Sequence, residues 1–241
     1  MGVTTETGRR VYAEGDSDMP QKFHELLVRM LSHHLENSTN PKYTELLSKL
    51  WSAGMRLIPD QKLKVSYAKL MQQEVEHGVI TARILEGLGV GPIEADIKQY
   101  LFGLPIDTYC DLAYFNALGD RVGCYIGETW DGVPYEPLLN VAERLHKDEV
   151  FHATFGYNNL RRVCATPEGL AEANDKIQIW WPAALDMFGR SDSDFSEAYV
   201  RWGLRQKNNA ELREQFIADI RPLLEELGID VPDDRANRRF L

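Results

Sequence analysis

Glu74-Val75-Glu76-His77 and Glu149-Val150-Phe151-His152 are two copies of one pattern, Glu-x-x-His, set 75 residues apart. Each is preceded 29 residues upstream by another carboxylate, Glu45 in the first case and Asp120 in the second. Residues at i and i+3 share a face of an α-helix, so each motif can aim one oxygen and one nitrogen at a common point. Two such helices, joined by two more that each bring a carboxylate, make the donor set of a dimetal four-helix bundle. A single Glu-x-x-His recurs by chance on solvated helices. Two copies with matched upstream carboxylates are much harder to obtain that way.

The matched spacing acquires a geometric meaning from the turns. In two antiparallel helices joined by a short loop, residues equidistant from the loop stand at the same height. The midpoint of Glu45 and Glu74 falls between Pro59 and Asp60, within Ile58-Pro59-Asp60. That of Asp120 and Glu149 falls between Pro134 and Tyr135, at the end of Asp131-Gly132-Val133-Pro134. Both are stop-and-restart signals for helices. Each hairpin therefore levels its two carboxylates about 20 Å from its turn, at ~1.5 Å rise per residue.

Hydrophobic periodicity extends this to an all-α architecture, a four-helix bundle with additional C-terminal helices. Leu63, Tyr67, Leu70, Glu74, His77, Thr81, Ile84 and Leu88 recur at alternating steps of four and three. That is the inward stripe of a bundle helix. Leu138, Ala142, Leu145, Glu149, His152, Gly156 and Val163 repeat it. The Glu and His of each motif thus occupy core positions, where burial is costly unless a cation compensates it. Further helices are expected over Gln21–Glu36, from Pro41 to about Ala53, over Asp107–Glu128 and Pro167–Phe188 with a kink or break at Pro182, and over Phe195–Leu204 and Ala210–Leu227. Residues 20–230 read as one domain between a loose N-terminal tail, 1–19, and a polar C-terminal tail, 231–241.

On the helix carrying Asp120, regular spacing places Ala113, Asn116, Gly123 or Cys124, and Gly127 on the same face, and Asp111 on the opposite, solvated one. Missing side-chain volume beside the carboxylate would leave a substrate cavity, since ordinary cores tolerate no such row of voids. Glu45 lies off the centre of the apolar face Leu46, Leu47, Leu50 and Trp51. On a helix unbroken from residue 21 it would instead continue the stripe Phe23, Leu27, Met30 and His34. Glu36 is the alternative first ligand, although its distance to Glu74 breaks the symmetry of the halves. Asp148 and Gln73, each just before a motif, are candidates to accept the second ring N–H of a ligating histidine. His24, His33, His34 and His146 are expected as surface or ordinary core residues.

Composition sets the outer bounds. The net charge of −10 over 241 residues argues against nucleic acid as a partner. No apolar run approaches the ~20 residues of a membrane span. The polar N-terminus has no apolar secretory core. Three cysteines, Cys110, Cys124 and Cys164, form neither a disulfide framework nor a zinc set, so a reducing cytoplasm is the expected location.

Several separated stretches resemble the phenylacetic acid catabolic family of ferritin-like proteins, in particular its catalytic members. These are Glu74 to Gly78, Lys147 to His152, Trp180-Trp181-Pro182 through Met187-Phe188-Gly189, and Asn209-Ala210-Glu211-Leu212-Arg213. The family also places an aspartate where Asp120 stands. The resemblance spans roughly Lys22 to Pro232. It implies two iron ions (di-manganese and mixed-metal pairs being the alternatives), O2 as co-substrate, and epoxidation or hydroxylation of a small organic substrate, with an aromatic acyl-CoA as the substrate class. The implied ligands are Glu45, Glu74, His77, Asp120, Glu149 and His152. The implied partners are an electron-donating reductase and a second ferritin-like subunit, a homo-oligomer being the alternative. This chain departs from the family pattern in an apparent insertion between Glu36 and Tyr43, in Gln73 where an aspartate is expected, and in its shorter length. Two other functions fit the same ligand pattern: a ferroxidase or peroxide-handling protein, and a structural component of an oxygenase complex.

Overall fold

The computed structural model describes residue 5 and residues 8–33, 38–94 and 96–240. Its chain order is α1 (Gln21–Ser32), α2 (Pro41–Leu57), α3 (Gln61–Gly87), α4 (Tyr109–Tyr114), a π-helical segment (Phe115–Asp120), α5 (Arg121–Glu128), α6 (Glu136–Val163), α7 (Pro167–Asp186), α8 (Asp194–Trp202) and α9 (Asn209–Glu226). Among the described residues there is no strand, and an isolated parallel bridge joins Tyr12 and Tyr135. The fold is all-α, consistent with a ferritin-like bundle carrying extra C-terminal helices.

The helices start where local chemistry satisfies their first N–H groups. Asn40 accepts from the Lys42 N–H at 3.1 Å with Pro41 in the first turn of α2, and Asp60 accepts from those of Lys62 and Leu63 at 2.6 and 3.3 Å to begin α3. Thr108 with Asp111, and Asn208 with Glu211, form reciprocal capping boxes for α4 and α9. Gly203 closes α8 in the left-handed region, φ 74°. Both expected hairpin turns are present, Ile58–Asp60 between α2 and α3, and the Asp131–Pro134 stretch between α5 and α6. Pro182 does not break α7, which runs through it to Asp186.

Among the described residues two apolar clusters make up the core. One gathers Tyr67, Leu70, Tyr114, Ala153, Phe155, Trp181 and Phe216; the other gathers Phe23, Leu27, Ile84, Trp130, Leu138 and Leu145. The long helices α3 and α6, 27 and 28 residues, contribute to both. Between their two apolar stretches lie Glu74 and His77 on α3 and Glu149 and His152 on α6. The ionisable motifs therefore form a belt across the bundle's waist, with hydrocarbon on either side.

The terminal segments are packed where they are described. Val11 is buried, and Tyr12 accepts from the Glu136 N–H at 2.9 Å while donating its own to Pro134 at 3.1 Å. At the other end the buried Asp186 carboxylate accepts from Arg238 Nε at 3.1 Å and from the Arg239 and Phe240 N–H groups at 2.6 and 3.2 Å. Asp111, expected in solvent, is buried. It accepts from Lys176 Nζ at 2.7 Å and Trp180 Nε1 at 3.3 Å. Burial raises its pKa, but Lys176 and the Thr108 and Asp107 N–H groups outweigh that and hold it below the ordinary carboxylate value.

Candidate metal centre

The two motifs meet across the interface of α3 and α6, and the residues just before them cross over. Asp148 Oδ2 lies 3.3 Å from His77 Nε2, and Gln73 Oε1 lies 3.1 Å from His152 Nε2. Gln73 in turn donates from its amide nitrogen to Asp148, closing a polar link between the helices. A carboxylate and an amide oxygen only accept, so each Nε2 must carry the proton, which leaves each Nδ1 as a lone pair. These Nδ1 atoms point back into the belt. His152 Nδ1 is 3.0 Å from Glu74 Oε1 and 3.8 Å from Glu149 Oε1; His77 Nδ1 is 3.3 Å from Glu149 Oε1. Lone pairs facing carboxylate oxygens at this range repel unless a proton or a cation stands between them. Donor atoms of Glu74, Glu149 and His152 all lie within 4.8 Å of one another, a group that could hold a metal ion. All four motif side chains are buried. The donor set, carboxylate oxygen with imidazole nitrogen, suits a first-row transition metal.

Asp120 joins the belt from the end of the π-helical segment. Asn116 Nδ2 donates to its Oδ2 at 2.7 Å. Burial, followed by the neighbouring Glu74 and Glu149 carboxylates, pushes the Asp120 pKa well above its ordinary value, while His152 and Asn116 pull the other way. For His152, burial lowers the pKa, but Glu74, Glu149 and Asp120 together overcome it and raise the value to about 9.

Glu45 is not brought into the belt. It is exposed on α2, whereas Tyr43, Leu46 and Leu50 form that helix's buried face. The height was right and the rotation wrong: Asn40 and Pro41 start a new helix, so the phase of α1 does not carry through. Tyr43 occupies the inward position instead, its hydroxyl donating to the Glu74 carbonyl at 2.6 Å and lying 3.3 Å from the carboxylate. Tyr43 was absent from the sequence-based set, although the steps Tyr43, Leu46, Leu50, Ala53 would have marked it as inward. Glu36, like His34, lies outside the described residues. Glu45→Ala should therefore leave metal binding within about twofold of wild type, as measured by iron content after anaerobic loading. A loss comparable to that from removing Glu74 would contradict the exposed position.

Beside the belt lies a cavity of about 500 Å³ whose wall includes Glu74, Asp120 and Glu149 with Leu50, Phe102, Phe115, Val122, Trp130 and Leu145. Of the five residues expected to line it, Gly123 and Gly127 do so, and Ala113, Asn116 and Cys124 do not. For Ala113 and Asn116 the π-helical segment is the reason. Its wider turn shifts the register between Ala113 and Asp120, so a stripe counted at α-helical steps drifts off the face. Ala113 packs in the core and Asn116 supports Asp120. Cys124 is buried, and its thiol is pushed up to about 12 by burial, then by Glu149, against the opposing pull of Arg121. Gly123 also has a different task from the one its position suggested. A Cβ there would fall on the Glu149 carboxylate, so the glycine makes room for that side chain.

No described helix is long and apolar enough to cross a membrane. A family model described as phenylacetic acid catabolic protein matches residues 94–239, a span that contains Asp120, Glu149 and His152. Over 230 residues the chain is 25% identical to one of the subunits of the 1,2-phenylacetyl-CoA epoxidase of Escherichia coli (strain K12), an alignment covering 89% of this chain and 71% of that protein. The family match takes in well over half of a chain that folds as an all-α bundle with paired Glu-x-x-His helices. The chain belongs to the phenylacetic acid catabolic protein family.

Proposed function

We propose that this chain is a non-haem di-iron oxygenase that uses O2 to epoxidise or hydroxylate a small organic substrate, with an aromatic acyl-CoA as the leading substrate class. Similarity to a component of an epoxidase supports an oxidoreductase. The observation that carries the finer reading is the apolar cavity opening directly onto Glu74, Asp120 and Glu149. A storage or ferroxidase centre needs a path for ions, not an apolar chamber of this size. The cavity falls in the usual range for small-molecule sites, ~300–1,000 Å³.

The iron ligands in this proposal are Glu74, His77, Asp120, Glu149 and His152, with one further carboxylate. The sequence offers Glu45 or Glu36 for that last position; Glu45 is exposed, and Glu36 lies outside the described residues. When bound, the iron pair supplies the electrons and the O2 site that no side chain can provide. The chain's own contributions are orientation and exclusion of water. Asp148 and Gln73 fix the ring orientations of His77 and His152, Asn116 holds Asp120, and Tyr43 tethers Glu74. Phe102, Phe115 and Leu145 keep the chamber apolar. The relative is one of several components of its enzyme, and a reductase together with a second ferritin-like protein completes the proposal.

The test is single turnover of the reduced, iron-loaded protein with labelled O2 and candidate acyl-CoAs, read as label in an organic product. Rapid oxidation of many equivalents of added ferrous iron, with no organic product, would favour the ferroxidase instead. Two glycine variants sharpen the result. Gly127→Leu should fill the cavity and cut substrate oxidation at least tenfold while iron content stays at the wild-type level, because a Cβ there meets nothing closer than His146 at 3.8 Å. Gly123→Ala should do the reverse of a cavity filler and lower iron content, by displacing Glu149. Normal turnover in Gly127→Leu would place the substrate elsewhere.

A further inference from the structure

The cavity wall carries cations as well as carboxylates. Arg205, just beyond the C-terminus of α8, lines it together with Arg29, Tyr199 and Asn209. The Arg205 guanidinium donates from Nη1 to Asn209 Oδ1 at 3.2 Å and lies 5.2 Å from the centre of the Tyr199 ring. Its Nε is buried and has no hydrogen-bond partner among the described residues. No described carboxylate forms an ion pair with it, although the chain carries 37 acidic residues against 27 basic ones. Burial lowers the Arg205 pKa, and the only group opposing that is Tyr199.

An arginine keeps its charge at any ordinary pH, so a partly buried guanidinium whose Nε is withdrawn from solvent without a counter-charge is costly. A second cation stands nearby. The Arg29 guanidinium stacks 3.6 Å from the centre of the Phe195 ring and lies beside the Tyr199 hydroxyl. Stacking leaves its in-plane N–H groups free of the ring, one of them directed at the Tyr199 hydroxyl, and no described carboxylate pairs with it either. Of the cavity's other cationic residues, Arg190 is already neutralised by Asp192 at 2.9 Å. The acidic residues on the cavity wall, Glu74, Asp120 and Glu149, are those of the metal belt. The chamber wall therefore combines the carboxylates of the belt, a majority of apolar side chains, and the cations Arg29, Lys98 and Arg205.

We infer that Arg205, assisted by Arg29, binds the anionic group, carboxylate or phosphate, of an otherwise apolar ligand that occupies the cavity. The inference rests on the functional reading above for calling that ligand a substrate, but the binding itself does not depend on iron. Asn209 and Tyr199 hold the guanidinium in place before the ligand arrives, so little ordering is needed on binding. The planar fork then suits two oxygens of one acid group.

Calorimetric titration of the metal-free protein with 3-phenylpropionate, its neutral amide, inorganic phosphate and coenzyme A tests this. An anion should bind at least tenfold tighter than the matched amide. Arg205→Met should abolish that preference, Arg205→Lys should retain part of it, and Arg29→Met should weaken it several-fold. The exposed Arg201→Gln should leave it unchanged. Arg205→Met should also melt no lower than wild type, because it removes an uncompensated charge while keeping the packing volume, whereas a purely structural arginine would cost stability. Displacement of the acid by coenzyme A assigns the site to a phosphate of a larger ligand. Tight acid binding that coenzyme A does not disturb assigns it to a carboxylate. Equal affinity for acid and amide, or a preference surviving in Arg205→Met, would overturn the inference. If Arg205→Met fails to fold, the Arg29→Met and Arg205→Lys titrations still decide, since an anion preference untouched in both would overturn it. Iron content, measured separately, reports on the metal reading alone.

Discussion

Replacing Glu149 and His152 together by alanine should take iron binding from about two ions per chain to close to none. Both side chains are buried in the belt, and the pair removes two of the three donors that lie within 4.8 Å of one another. The same chemistry shapes the metal-free protein. The His152 pKa stands at about 9, above the ~6.5 of an unfolded histidine, and that of Asp120 stands well above the ~3.9 of an unfolded aspartate. Both groups hold their protons more tightly when folded. Their stabilising contributions are complete below the unfolded values and fade as pH rises through the folded ones. The metal-free wild type should accordingly lose thermal stability between about pH 6.5 and pH 9. Iron loading should flatten that slope by taking the place of the proton at His152, and the double variant should lose the histidine's share of it. Full iron binding by the double variant would remove the basis for the metal centre.

Gly156→Ala should be strongly destabilising for so conservative a substitution. A Cβ on Gly156 would run into the backbone between Asn116 and Ala117, in the π-helical segment. Backbone cannot rotate away as a side chain can, so α6 would have to back off from the segment that positions Asp120. Overpacking of this kind costs about 3 kcal/mol. At roughly 3 °C per kcal/mol for a chain of this size, the melting temperature should drop by about 10 °C. Gly127→Ala is the control, since the nearest atom is 3.8 Å away and alanine favours the helix. Equal melting of the two variants would mean that the contact between α6 and the π-helical segment is looser than described.

The sequence was legible where it encodes height and not where it encodes rotation. Equal spacing about two proline-marked turns located the hairpins and levelled the motifs. The same arithmetic could not say which way Glu45 points, because Asn40 and Pro41 restart the helix at an unknown phase. Nor could it register the wider turn before Asp120, which carried Ala113 and Asn116 off the cavity face. Asp111 looked solvated because its partners, Lys176 and Trp180, are about 65 residues away in sequence and on another helix. Arg205 left no signal at all. It stands outside any periodic stripe, and its importance comes from the absence of a counter-charge among the described residues, which only three dimensions reveal.

The crossed contacts at the belt are twofold in form but unequal in substance. His77 hands its ring proton towards the charged oxygen of Asp148, and His152 hands its own towards the neutral amide of Gln73. A carboxylate draws that proton more strongly and makes the ring a better electron donor. Two metal positions built from otherwise matching residues would then differ in affinity and in redox potential. They would fill in order, not together. A single substitution before the first motif, amide for acid, is enough to set that polarity.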